Sequence, residues 1–307
     1  MPGEWEHAVA AVGPAWERRC GAAGRQAALE LRERVARVAA LWELTVGGPL
    51  ATGGESVVVA VHDRFGRPGV LKCRPPADPG TCREALALTH LASPHVVPLM
   101  ASAPADGVLW LRRVVPGQAL AEEPDDLAAA DAWCEVASSL PRAADPTAAS
   151  AALFPRLTQQ LGALEAWQAA LPKGHWHLAQ RVVAVAQGLA ATAPAPSLLH
   201  GDLHDENILS AGGGTFWAID PKGVFGDPAY EPACLLMNRW MRPTGPPERL
   251  AAAVAQRLAL DARRVLGWTF VHTALSLAWS QEDDGRPVGA SDPRWAVLDQ
   301  ALSALRG

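Results

Sequence analysis

Between Leu198 and Asp220 the helical second half of the chain is interrupted by the run LLHGDLHDENIL and then, thirteen residues past Asn207, by Asp220 in FWAIDP. An apolar, strand-like lead (Ser197 to Leu199) enters a loop crowded with His, Asp and Asn, so the region reads as a compact strand-loop-strand unit set among helices. Two Ala- and Arg-rich segments, Glu4 to Cys20 and Arg25 to Trp42, carry apolar residues at helical spacing and predict amphipathic helices over residues 1–42. From Glu43 to about Val115 short β-rich runs (Ser56 to Val61, Gly69 to Cys73, Val108 to Arg113) surround one helical stretch, Thr81 to Leu91, which predicts an antiparallel sheet plus one helix. Past a connector at 112–117 the pattern turns helical over Asp125 to Leu140, Ala151 to Ala170 and Trp176 to Ala191, and beyond the loop over Glu248 to Leu260, Asp261 to Gln281 and Pro293 to Leu305. The expected fold class is α+β and bilobal, with a small antiparallel-sheet N-lobe and a larger, mainly helical C-lobe over 118–307.

Composition narrows the partners. No run approaches the roughly 18 apolar residues of a membrane span, and residues 1–24 lack a basic start followed by an apolar stretch, so no membrane partner and a cytoplasmic location are expected. The five cysteines are scattered without metal-ligand spacing and read as reduced thiols. A net charge of −5 argues against nucleic acid, which wants a basic face, and mildly favours a neutral or cationic substrate. Of 27 basic residues only three are lysines (Lys72, Lys173, Lys222), and two of those fall inside the motifs below.

His200, Asp202 and Asn207 fit the frame H-x-D-x-x-x-x-N of kinase catalytic loops. In that frame Asp202 takes a hydroxyl proton, while Asn207 and Asp220 offer the hard oxygens that suit Mg²⁺ over a triphosphate. A rival reading groups His200, Asp202, His204 and Asp205 as a transition-metal cluster, but no second His-rich segment supplies further ligands. His200 and His204 otherwise organise the loop by hydrogen bonds. Lys72, in Val70-Leu71-Lys72-Cys73, lies on a strand behind the turn Ala51-Thr52-Gly53-Gly54-Glu55-Ser56, where Gly53, Gly54 and Ser56 could cover phosphates that the ammonium reaches. The turn is neither a full G-x-G-x-x-G nor a P-loop, and a plain hairpin turn reads the same way. Glu84, twelve residues on, could pair with Lys72 or simply lie in solvent. Arg113 and Val114, before Pro116-Gly117, sit where a hinge would read an adenine edge, or where a strand simply ends.

With these residues the chain resembles the aminoglycoside phosphotransferase family, whose fold is protein-kinase-like, and within it the streptomycin 6-phosphotransferase and hydroxyurea phosphotransferase branch. The resemblance spans about Glu43 to Trp279. It rests on His200 to Asn207 (HGDLHDEN), Ala218-Ile219-Asp220-Pro221-Lys222-Gly223, Gly226-Asp227-Pro228 with Tyr230 and Glu231, and Trp279 to Gly285 (WSQEDDG). It implies Asp202 as catalytic base, Asn207 and Asp220 as Mg²⁺ ligands, Lys72 on the α- and β-phosphates of ATP or GTP, and Glu84 as its partner. It implies a small-molecule hydroxyl acceptor, foremost a streptomycin-like aminoglycoside, with an amino sugar, a hydroxyurea-like metabolite or a non-catalytic nucleotide-binding role as alternatives. Carboxylates would suit a cationic acceptor, and Asp227, Glu231, Glu282 and Asp283 are the candidates. Asp227 reads more readily as the cap of the helix starting at Pro228, and Glu282 and Asp283 as a helix end in solvent. A monomer or weak dimer is expected.

Overall fold

The computed structural model describes residues 2–53, 55–76, 78–141, 153–171, 175–243 and 246–306. They form two compact units, one of residues 1–92 and 96–117, the other of 93–95 and 118–307.

The first unit is built on a five-stranded antiparallel sheet in the order β1-β2-β3-β5-β4, with β1 Thr45–Thr52, β2 Val57–His62, β3 Pro68–Cys73, β4 Leu99–Ala103 and β5 Val108–Arg112. The β-branched run of β2 and the apolar positions of β3 and β5 place these strands at the centre. The two strands that periodicity did not announce, β1 and β4, are the edges. Gly47-Gly48-Pro49 sits at a register shift in β1, and Gly and Pro are tolerated on a bulged edge because no second neighbour needs their amides. One helix, α4 (Pro79–His90), follows β3, and the Asp78 carboxylate caps it by accepting from the Gly80 amide.

Three N-terminal helices, α1 (Pro2–Cys20), α2 (Ala22–Leu29) and α3 (Leu31–Leu41), share a core with this sheet. Trp5, Ala8, Val12 and Trp16 recur on one face of α1 and meet Leu31, Val35 and Val38 of α3, Val57, Val59 and Val61 of β2 and Leu71 of β3. The single helix expected over Arg25 to Trp42 is in fact two, parted at Glu30. A Cβ on Gly24 would lie 1.9 Å from the Trp16 carbonyl oxygen, so only glycine lets α2 approach α1 this closely.

The second unit is mainly helical: α5 (Asp126–Ser139), α6 (Leu157–Gln160), α7 (Ala163–Ala170), α8 (Trp176–Ala191), α9 (Glu231–Trp240), α10 (Pro247–Arg257), α11 (Ala262–Asp284) and α12 (Pro293–Arg306). The helix expected over Ala151 to Ala170 is two short pieces in its described part, and residues 151–152 lie outside the described residues. From Val265 to Ala278 helix α11 is buried on most sides, with Trp268, Phe270, Val271, Leu275 and Leu277 all inside. Two small antiparallel pairs carry the polar loop: β6 (Ser197–Leu199) with β9 (Val224–Gly226), and the hairpin β7 (Ile208–Gly212) with β8 (Thr215–Ala218).

Candidate active site

Within the second unit, β6 delivers His200 into a fully buried position. Its Nε2 lies 2.9 Å from the Ile219 carbonyl and its Nδ1 accepts from the Asp202 amide at 3.4 Å, which fixes the tautomer with hydrogen on Nε2. Desolvation by burial pulls this imidazole down to about 3, so it stays neutral and serves as scaffold. Gly201 turns the chain at φ 80°, where a Cβ would meet Val224 Cγ2 at 2.7 Å. Any larger residue there is strained twice over.

Asp202 and Asn207 stand next to each other. Asn207 Nδ2 donates to the Asp202 carbonyl at 2.9 Å and lies 3.5 Å from Asp202 Oδ2, which leaves Asn207 Oδ1 as the amide's acceptor atom. The hairpin brings the second carboxylate round: Ile208 pairs with Ala218, the Ile219 amide donates to the Asn207 carbonyl at 2.9 Å, and Asp220 follows at φ 58°. Lys222 Nζ lies 3.8 Å from Asp202 Oδ2 and 4.0 Å from Asp220 Oδ2, so both carboxylates converge on one ammonium. Their side chains keep 28% and 27% of their surface open, enough for a ligand to reach them. The Asn207 amide oxygen and the Asp220 carboxylate are hard oxygens of the kind that fit Mg²⁺, which takes water and phosphate besides one or two protein ligands.

The transition-metal reading fails on the same geometry. Asp205 is fully buried and ion-paired to Arg239 Nε at 2.8 Å and Arg242 Nη2 at 3.1 Å, with Asn238 Nδ2 donating to its other oxygen at 3.2 Å, so its carboxylate is engaged by protein donors. Among the described residues no three His, Cys, Asp or Glu side chains converge as metal ligands.

In the first unit, Lys72 Nζ lies 2.9 Å from both carboxylate oxygens of Glu84, so the strand lysine and the helix glutamate are paired inside the protein. Arg74 Nη2 shares the same carboxylate at 3.2 Å. The Gly53 amide donates to the Ser56 carbonyl at 2.9 Å and closes the β1-β2 turn; Gly54 lies outside the described residues. Helix α1 holds this turn from behind. Trp16 Nε1 donates to the Glu55 carbonyl at 3.1 Å, and Arg19 reaches both Glu55 Oε1 at 3.0 Å and Asp78 Oδ2 at 3.2 Å. Near the connector the Arg113 amide donates to the Pro68 carbonyl at 3.3 Å, so that donor is engaged by the sheet, and the Val114 side chain is buried.

Two of the four carboxylates expected at the acceptor are put to other use. Glu231, at the start of α9, is buried and accepts from the His200 amide at 2.7 Å and the Gly201 amide at 2.9 Å, so both its oxygens hold the loop. Burial pushes this carboxyl up to about 7 against the pull of those two amides. Asp227 caps the turn at Pro228 by accepting from the Ala229 amide at 3.0 Å, while its other oxygen takes Arg264 Nε and Trp268 Nε1. It is buried, as the capping reading has it. Glu282 and Asp283 are exposed in the last turn of α11. Lys222, which the sequence marks by the scarcity of lysine and by its place in Asp220-Pro221-Lys222-Gly223 without assigning it a role, stands beside both carboxylates.

A model of the aminoglycoside/hydroxyurea antibiotic resistance kinase family matches residues 41–285. The streptomycin 6-kinase of Streptomyces glaucescens is 29% identical over 278 residues, 85% of each chain, and the hydroxyurea phosphotransferase of Kitasatospora aureofaciens is 30% identical over 86% of this chain and 77% of its own. Among solved structures, a thermostable mutant of aminoglycoside phosphotransferase APH(4)-Ia in ternary complex with AMP-PNP and hygromycin B superposes with a TM-score of 0.60 at 19% identity, covering 85% of this chain and 94% of that one. The fold is thus the protein-kinase-like α+β fold of the phosphotransferases, and the chain belongs to the family of aminoglycoside/hydroxyurea antibiotic resistance kinases.

Proposed function

We propose that the protein transfers the γ-phosphate of ATP, with Mg²⁺, to a hydroxyl of a streptomycin-like aminoglycoside. The observation that carries this reading is the convergence of Asp202, Asn207 and Asp220 in one loop and hairpin. The acceptor hydroxyl loses its proton to Asp202 as its oxygen bonds the γ-phosphorus, and the bond from phosphorus to the ADP oxygen breaks. Asn207 Oδ1 and Asp220 would hold Mg²⁺, which supplies charge neutralisation on the phosphates when bound. Lys72, oriented by Glu84, is assigned to the α- and β-phosphates. Support for ATP comes from the AMP-PNP bound to the APH(4)-Ia neighbour, and support for the acceptor from the similarity to the streptomycin 6-kinase of Streptomyces glaucescens.

The test couples ADP release to streptomycin, other aminoglycosides, amino sugars and hydroxyurea, with mass detection of the phosphorylated product. Streptomycin is expected to be the best acceptor, and a product formed from none of them sinks the reading. Asp202→Asn is expected to lower kcat by roughly 10² to 10⁴-fold with the fold intact, because the hydroxyl loses its positioned base. Undiminished turnover would remove Asp202 from the mechanism.

A further inference from the structure

The ammonium of Lys222 is assigned none of these roles, yet it lies within 4.0 Å of an oxygen of each of two carboxylates that carry them. Its backbone is anchored: the Lys222 and Gly223 amides both donate to the His200 carbonyl, at 2.8 and 3.1 Å, with Gly223 at φ 64°. Its side chain is 40% open and stands 3.8 Å from Asp202 Oδ2 and 4.0 Å from Asp220 Oδ2. Two carboxylates that share one ammonium are each favoured in their charged form by it. At these separations the ammonium neutralises both without the tight, two-toothed grip a guanidinium would take on either. In a chain with only three lysines among 27 basic residues, the choice of a compact charge on a flexible stem suits a cation that must let go.

We propose that Lys222 is a further catalytic residue. In the metal-free enzyme it supplies the positive charge that Asp220 otherwise takes from the divalent cation. In the loaded enzyme it turns its ammonium onto the oxygens of the transferred phosphoryl group. The proposal rests on the kinase reading above for its second half only; the first half concerns the resting site.

The test compares Lys222→Met and Lys222→Arg with the wild type in the full chain. Mn²⁺ binding to nucleotide-free protein is titrated by electron paramagnetic resonance, and kcat and KM are measured for ATP and acceptor. Lys222→Met is expected to bind Mn²⁺ several-fold more tightly, because the competing cation is gone, and to lose roughly 10²-fold in kcat with little change in acceptor KM. Lys222→Arg keeps the charge and is expected to bind Mn²⁺ as weakly as the wild type. Lys222→Met with wild-type kcat, or with Mn²⁺ binding no tighter than wild type, overturns the proposal. If wild-type protein phosphorylates no acceptor, the kinase reading falls, and the Mn²⁺ titration still decides whether Lys222 holds the metal position.

Discussion

At the scale of single residues, two histidines and one glutamate set a pH signature. His200 and His272 are buried, and desolvation pulls both imidazoles from an ordinary 6.5 down to about 3. A depressed folded-state value means that the unfolded chain takes up protons first, so their contribution is fully present above pH 6.5 and is lost as pH falls toward 3. Glu231, raised from 4.5 to about 7, acts the other way: its contribution is present below 4.5 and is lost as pH rises through 7. Between about 4.5 and 6.5 the two histidines outweigh the one carboxyl. The thermal midpoint is therefore expected to fall as pH is lowered from 6.5 to 5, and His272→Gln to flatten that decline. Differential scanning fluorimetry across this window checks it, and a midpoint that rises on acidification contradicts it.

At the scale of elements, the loop from His200 to Asn207 is held by groups that lie far from it in sequence. Trp133 of α5 donates to the Leu203 carbonyl at 2.6 Å, Glu231 of α9 accepts two loop amides, and Asp205 pairs with Arg239, whose other nitrogens reach the Leu120 and Glu123 carbonyls at 2.7 Å. Asp205→Ala removes the buried carboxylate that pairs with Arg239 Nε and Arg242 and leaves Arg239 only Asp126, at 3.5 Å, as a counter-charge, so it is expected to destabilise the protein by about 2 to 3 kcal/mol, measurable by urea unfolding. A loss below about 1 kcal/mol would mean that the pair is not a principal tie. This layer explains how far the sequence could be read. The H-x-D-x-x-x-x-N frame and Asp220 stood out because the chemistry demands those residue types at those spacings, and β2, β3 and β5 because each carries a short run of β-branched or large apolar residues. Strand β1 did not, since Gly47-Gly48-Pro49 on an edge resembles a turn. Asp227 was legible as a cap because it directly precedes Pro228, whereas Glu231 read as an acceptor carboxylate because nothing local reveals that both its oxygens are taken by the His200 and Gly201 amides.

At the scale of the whole molecule, the family match begins at residue 41, yet α1 to α3 supply Trp5, Trp16, Leu31 and Val35 to the core under the sheet. Those helices are not a dispensable preface. Deleting residues 2–41 exposes the faces of β2 and β3 that they cover, and the shortened chain is expected to be insoluble or to show no stabilisation by Mg-ATP in a thermal melt. A soluble truncated chain with an unchanged nucleotide shift would show that the sheet stands alone. The tether from Trp16 and Arg19 to Glu55 gives this arrangement an evolutionary side. In the proposed enzyme the turn over the phosphates takes its stiffness from a helix outside the matched region, so drift in the first twenty residues can retune nucleotide affinity while every catalytic side chain stays the same.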